Sequence, residues 1–231
     1  MKRWGFVPVL VLGAALTLSA QGNPEIQQKL AAVRQSLAQN KAALRQYSWT
    51  SQTQISLNGE VKKTTQDSCR YGPDGQVQKT PIGPPPQQQP QKRGVRGRVV
   101  ERKTDELEDY MQRAVALIKD YVPPSPDAMQ QAFQSGNASV REAGPGVIGL
   151  QLQNYLKQGD SMSLNFNEAA KVLSSISINT YLDGPQDAVT LQVGFQTLPD
   201  GTNYAATEML NVAAKKLQVQ VQNSNYQRTG M

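Results

Sequence analysis

Whatever chemistry this chain performs, it performs without histidine. Its 231 residues hold 24 Lys+Arg, 18 Asp+Glu, one cysteine and no histidine. A Ser-His-Asp triad, a Cys-His pair and a His-ligated zinc or haem iron are therefore excluded. Cys69 alone forms neither an intramolecular disulfide nor a multi-thiolate metal site. A nucleophilic thiol needs a base or a stabilising cation. The neighbouring Arg70 belongs to an alternating stretch, Thr64 to Tyr71, so it points to the opposite face. Cys69 is expected to be a small buried apolar residue.

Three further groups of residues could carry chemistry. Asp105, Glu106, Glu108 and Asp109 form the densest acidic cluster, and paired acids can run glycoside hydrolysis without histidine. These acids are expected at the start of an amphipathic helix, where the dipole and solvent favour them. Gly144-Pro145-Gly146-Val147-Ile148-Gly149 matches the spacing of a dinucleotide loop. No buried strand pattern precedes it and no helix follows it, so a plain loop is expected. Lys92, Arg93, Arg96 and Arg98, followed by Arg102 and Lys103, could meet phosphate groups. No aromatic is interleaved with them, so base stacking and nucleic acid are not supported. No cofactor or metal spacing is present.

The N-terminus carries a more specific signal. Met1-Lys2-Arg3 is a short basic region, Phe6 to Leu18 is apolar, and Leu18-Ser19-Ala20 supplies small residues before Gln21. That is the pattern of a cleaved signal peptide over residues 1–20. The run is too short for a spanning helix. Losing Lys2 and Arg3 lowers the formal net charge of +6 by two. The expected location is the periplasm or the extracellular space.

Residues 21–231 read as one α+β domain. Asn23-Pro24-Glu25 is a cap, an N1 proline and a first-turn acid. Ile26, Leu30, Val33, Leu37 and Leu44 then predict a long helix to about Gln46. From Tyr47 the period changes to two, with Trp49, Ser51, Thr53, Ile55 and Leu57 on one face. Asn58-Gly59 predicts a hairpin into Val61–Tyr71, and Gly72-Pro73-Asp74-Gly75 turns into a third strand. Residues 83–98, rich in proline, glutamine and arginine, are expected to be a mobile insertion. Thr104 to Tyr121 predicts a second helix, and Ser125-Pro126-Asp127 starts a third. Beyond it, alternating runs around Leu150, Leu164, Ile176, Leu191 and Leu217 predict strands. Their polar partners are mostly glutamine, serine and threonine. A sheet with one apolar and one wet face is antiparallel, and the helices must cover the apolar face.

The order of these elements resembles the periplasmic lipoprotein-carrier superfamily and exported bacterial proteins of the same layout. The carrying features are the long helix, the Tyr47-Ser48-Trp49 strand, the Asn58-Gly59 hairpin, the Tyr71-Gly72-Pro73-Asp74-Gly75 turn and the closing Leu217–Val221 strand. The resemblance implies a curved, half-open antiparallel barrel whose mouth is closed by helices and whose cavity holds acyl chains. It rests on element order, not on a motif, and carries over no functional residue. Trp49, Ile55, Leu164, Phe166, Val193 and Phe195 would line such a cavity. Lys92, Arg93, Arg96 and Arg98 would touch an anionic membrane surface. The expected function is a non-enzymatic, monomeric carrier or binder of a lipid or lipidated protein. The alternative is an envelope structural or interaction protein with a filled core.

Overall fold

The computed structural model describes residue 35, residues 38–83 and residues 95–229. The expected signal peptide, most of the expected first helix and residues 84–94 of the expected insertion lie outside them. Residues 35 and 38–44 are helical.

Among the described residues ten strands, two α-helices and a short 3-10 helix, Ala213–Lys215, follow. The strands and α-helices are β1 (Tyr47–Leu57), β2 (Glu60–Tyr71), β3 (Val77–Pro81), α1 (Val95–Tyr121), α2 (Pro126–Gln134), β4 (Ala138–Gly144), β5 (Val147–Gln153), β6 (Ser161–Asn167), β7 (Val172–Tyr181), β8 (Ala188–Thr197), β9 (Asn203–Val212) and β10 (Leu217–Arg228). The strands make one antiparallel sheet in the order β3-β2-β1-β10-β9-β8-β7-β6-β5-β4. The sheet is not closed into a barrel, and β3 and β4 are its edges.

Local chemistry explains the turns. Asn58 and Gly59 both have positive φ, 53° and 80°, as the twist of a two-residue hairpin requires. Gly75 sits at φ +74°, and a Cβ there would lie 2.3 Å from the Arg45 guanidinium. Ser125 caps α2 by accepting from the Ala128 N–H, with Pro126 opening the helix.

The edges decide where the long helix runs. The chain leaves the sheet at β3, re-enters at β4, and must cross its whole width between them. Nine inter-strand gaps span about 43 Å if flat, and a 27-residue helix is about 40 Å long. The contacts of α1 follow that path. Tyr121 meets Asp160 after β5 and Thr180 on β7. Arg113 pairs with Asp183 after β7. Tyr110 bonds Asp187 before β8 and lies under the Lys215 ammonium, between β9 and β10. All of these sit at the strand ends that also carry the Asn58-Gly59 turn, so α1 closes one rim of the sheet. Helical residues 38–44 reach the opposite rim, where Asn40 exchanges two hydrogen bonds of 2.6 Å with the Asn203 backbone.

Three elements depart from the expectations. α1 begins at Val95 and not at Thr104, so it takes in Arg96 and Arg98. Arginine is a good helix former, and Val95 and Val99 extend the helical spacing. The acidic cluster therefore lies several turns inside the helix and not in its first turn. Its four side chains are exposed, so solvent holds them and the helix start does not. β4 has no apolar alternation because it is an exposed edge strand. β9 was hidden because Glu208 interrupts its inward face and a bulge against Gly194 and Phe195 shifts its parity.

Candidate ligand-binding face

The register places one continuous apolar row across seven strands. It runs Leu152, Met162, Ile178, Leu191, Leu210, Val219, Ile55 from β5 to β1. Each is the inward residue of its strand, as the period-two pattern requires. Tyr110, Ala114 and Tyr121 of α1 and Met129 of α2 pack on this rim and bury it. From β5 to β9 the row is therefore the filled part of the inner face, and Val219 and Ile55 continue it half-buried.

A parallel row lies two residues further from α1. It runs Leu150, Leu164, Ile176, Val193, Glu208, Val221, Thr53. Leu164, Ile176 and Val193 are buried, whereas Glu208, Val221 and Thr53 are half-buried. Glu208 is thus a carboxylate set between two valines on an apolar surface. Burial pushes its carboxyl above the ordinary range, against the pull of Lys79 and a hydrogen bond from Asn223. That bond is long, 3.5 Å from Asn223 Nδ2 to Glu208 Oε1, because the amide also donates to the Ala205 carbonyl at 2.9 Å.

Beyond Glu208, towards the second rim, the inner face becomes aromatic. Trp49 stacks on Tyr226 with centroids 5.5 Å apart and meets Tyr71 at 5.4 Å. Tyr204 lies 4.2 Å from Tyr226. Burial raises the Tyr71 and Tyr226 phenols, with the Glu208 carboxylate adding to both shifts. Cys69 sits opposite Trp49 in the ladder and is 1% exposed. Burial pushes its thiol up, further than the neighbouring Lys79 pulls it down. The cysteine is buried, as expected.

Two polar clusters hold the ends of this face. Asp160 is fully buried, and its carboxylate accepts from three backbone N–H groups, those of Tyr155, Leu156 and Lys157, at 2.5–3.0 Å. It also accepts from the Tyr121 hydroxyl at 2.6 Å. Burial raises the Tyr121 phenol, so this hydroxyl stays a donor. At the other rim Tyr47 and Arg228 both donate to Asp200 Oδ2, at 2.6 and 2.7 Å. Together with the Thr202 N–H they hold that carboxyl far below the usual range. Neither cluster was read from the sequence. An aspartate closing a short inter-strand loop was the available signal.

The six residues expected to line a cavity divide. Leu164 and Val193 belong to the buried core, and Ile55, Phe166 and Phe195 pack partly exposed against it. Trp49 lies in the separate aromatic cluster. Lys92 and Arg93 are outside the described residues, and Arg96 and Arg98 stand in the first turn of α1.

The Gly144-Pro145-Gly146 run is the β4–β5 turn and is followed by a strand. It borders a surface depression of about 290 Å³ that also holds Glu142 and Glu168 against the one cation Arg141. Two carboxylates around a turn with no following helix do not form a phosphate cradle. Among the described residues no group of three or more acids or thiols could hold a metal ion. No described helix is long and apolar enough to cross a membrane.

No family model matches the chain, and no curated protein matches its sequence. The chain is similar to several solved structures. One is a DUF1329 family protein from Desulfovibrio piger, at 9% identity and a TM-score of 0.42, covering 87% of this chain and 94% of that one. Another is the LolA superfamily protein NE2245 from Nitrosomonas europaea, at 9% identity and a TM-score of 0.38, covering 85% of this chain and 94% of that one.

Proposed function

We propose that this chain is a non-enzymatic carrier or binder of a lipid-like amphiphile in the cell envelope. One observation carries the reading: around one desolvated carboxylate, Glu208, the inner face keeps apolar residues that are only half-buried. Val221, Phe195 and Phe166 offer apolar surface there, and Tyr71 and Tyr226 add amphipathic rings. Glu208 and Asn223 give a polar end something to bond. A chain laid along this strip would run between the filled rim under α1 and the aromatic rim. The Lys79 ammonium acts on Glu208 although β3 and β9 are four strands apart, which supports a sheet curled as a half-open barrel. The apolar N-terminal segment supports export to the periplasm or beyond.

Native mass spectrometry of protein purified from its own envelope tests this. The expected result is a lipid-mass adduct that organic extraction removes, and uptake of a fluorescent acyl probe by the extracted protein. Val221→Glu should abolish that uptake while leaving the circular dichroism spectrum intact. A bare chain that takes up no acyl probe would overturn the reading.

A further inference from the structure

The opposite face of the same sheet has a composition that solvent alone does not explain. Its middle row crosses seven strands as Gln151, Ser163, Ser177, Gln192, Met209, Gln220 and Gln54. The flanking rows, from Gln153 to Ser56 and from Gly149 to Gln52, hold only Gln, Asn, Ser, Thr and Gly. Three rows of seven therefore contain no Asp, Glu, Lys or Arg. At the 18% charged content of the whole chain, about four would be expected there. At the density of an ordinary soluble surface it would be about five to seven. On the strands beyond, charge reappears as Arg141 on β4, opposite Gly149, whereas the rows continue uncharged on β2 as Val61, Thr64 and Gln66.

The missing charges say what this surface is suited to meet. A nucleic acid or an anionic membrane needs cations, and none is present. The core of a protein–protein interface is enriched in aromatics, methionine and arginine, and of these the three rows hold only Met209. What the face offers is a dense grid of groups that both donate and accept hydrogen bonds at every pH. Part of the grid is held in place by side-chain bonds between strands. Asn165 donates to Ser175 at 2.9 Å, and Gln218 to Asn211 at 3.0 Å. Strands about 4.8 Å apart repeat these groups at roughly the length of one sugar ring.

We propose that this outer face binds an uncharged polysaccharide, its hydroxyls paired with the amide and hydroxyl ladder. The proposal is independent of the inner face, because side chains on the two faces alternate along each strand. Mobility in native gels containing a neutral glucan or galactomannan tests it, with heparin and polygalacturonate as charged counterparts. The expected result is retardation by a neutral polymer that is unchanged between low and high salt. Gln192 is exposed, so Gln192→Glu and Gln192→Lys should both fold normally. Both should weaken the retardation at least fivefold, while acyl-probe uptake is unaltered. No retardation by any neutral polymer would overturn the proposal. So would retardation by the charged polymers alone, or a variant of one sign that binds more tightly.

Discussion

Asp160 is the residue on which most of the architecture turns. Its carboxylate satisfies three backbone N–H groups of the β5–β6 loop and the Tyr121 hydroxyl of α1. Removing the charge leaves those donors buried and poorly paired, which costs the desolvation of each. Asp160→Ala should lower the unfolding free energy by about 3–5 kcal/mol in urea titrations. Tyr121→Phe, which removes one hydroxyl from the same cluster, should cost only about 1–2 kcal/mol. Glu208 has the opposite character. Its folded carboxyl titrates above the ordinary value of 4.5, so the folded state resists losing that proton. Stability from this group is present below the unfolded value and falls as pH rises through the folded one. Glu208→Gln should therefore match the wild type near pH 4 and exceed it at pH 7 in thermal melts. Cys69, buried with its thiol pushed up, should not react with a thiol reagent in the native protein and should react promptly in denaturant.

At the scale of elements, α1 has two unequal parts. From Leu107 onward it presents Tyr110, Ala114 and Tyr121 to the core, with Leu107, Met111, Leu117 and Ile118 partly buried beside them. Ala114 is 0% exposed, so there is no room for a larger side chain where the helix meets the sheet. Ala114→Leu should cost about 1–3 kcal/mol through overpacking. Hydrogen exchange should locate the loosening in Leu107–Tyr121 and in the β7–β8 loop, which Arg113 holds through Asp183. The exposed face of the helix, with the Arg102–Glu106 pair, should tolerate substitution.

At the scale of the molecule, β10 joins two parts of the sheet. Tyr47 at the start of β1 pairs with Arg228 at the end of β10, so the first hairpin is completed only by the last strand. Without β10 the order breaks into β3-β2-β1 and β9 through β4. A chain ending before Leu217 should lose the cooperative thermal transition seen by circular dichroism, whereas one ending after Arg228 should keep it. Contacts of such long range also make folding slow.

Much of this design is written in local chemistry. The Asn58-Gly59 hairpin, the bounds of β1 and the Ser125 cap follow from residue types within a few positions of one another, so they were legible in the sequence. So was the division of the sheet into an apolar and a wet face, because side-chain direction alternates along any strand. The burial of Cys69 was legible for the same reason. The placement of Glu208 between Val193 and Val221 was not, since it depends on a register among three strands. The Asp160 and Asp200 clusters join residues from separate loops, and no local pattern marks them. The charge-free outer rows are a property of seven strands side by side, whereas each strand alone shows only ordinary polar residues. Period and turn chemistry are local and can be read in order along the chain. Register, burial of a carboxylate and the sum of charge over a face arise only when distant segments are brought together.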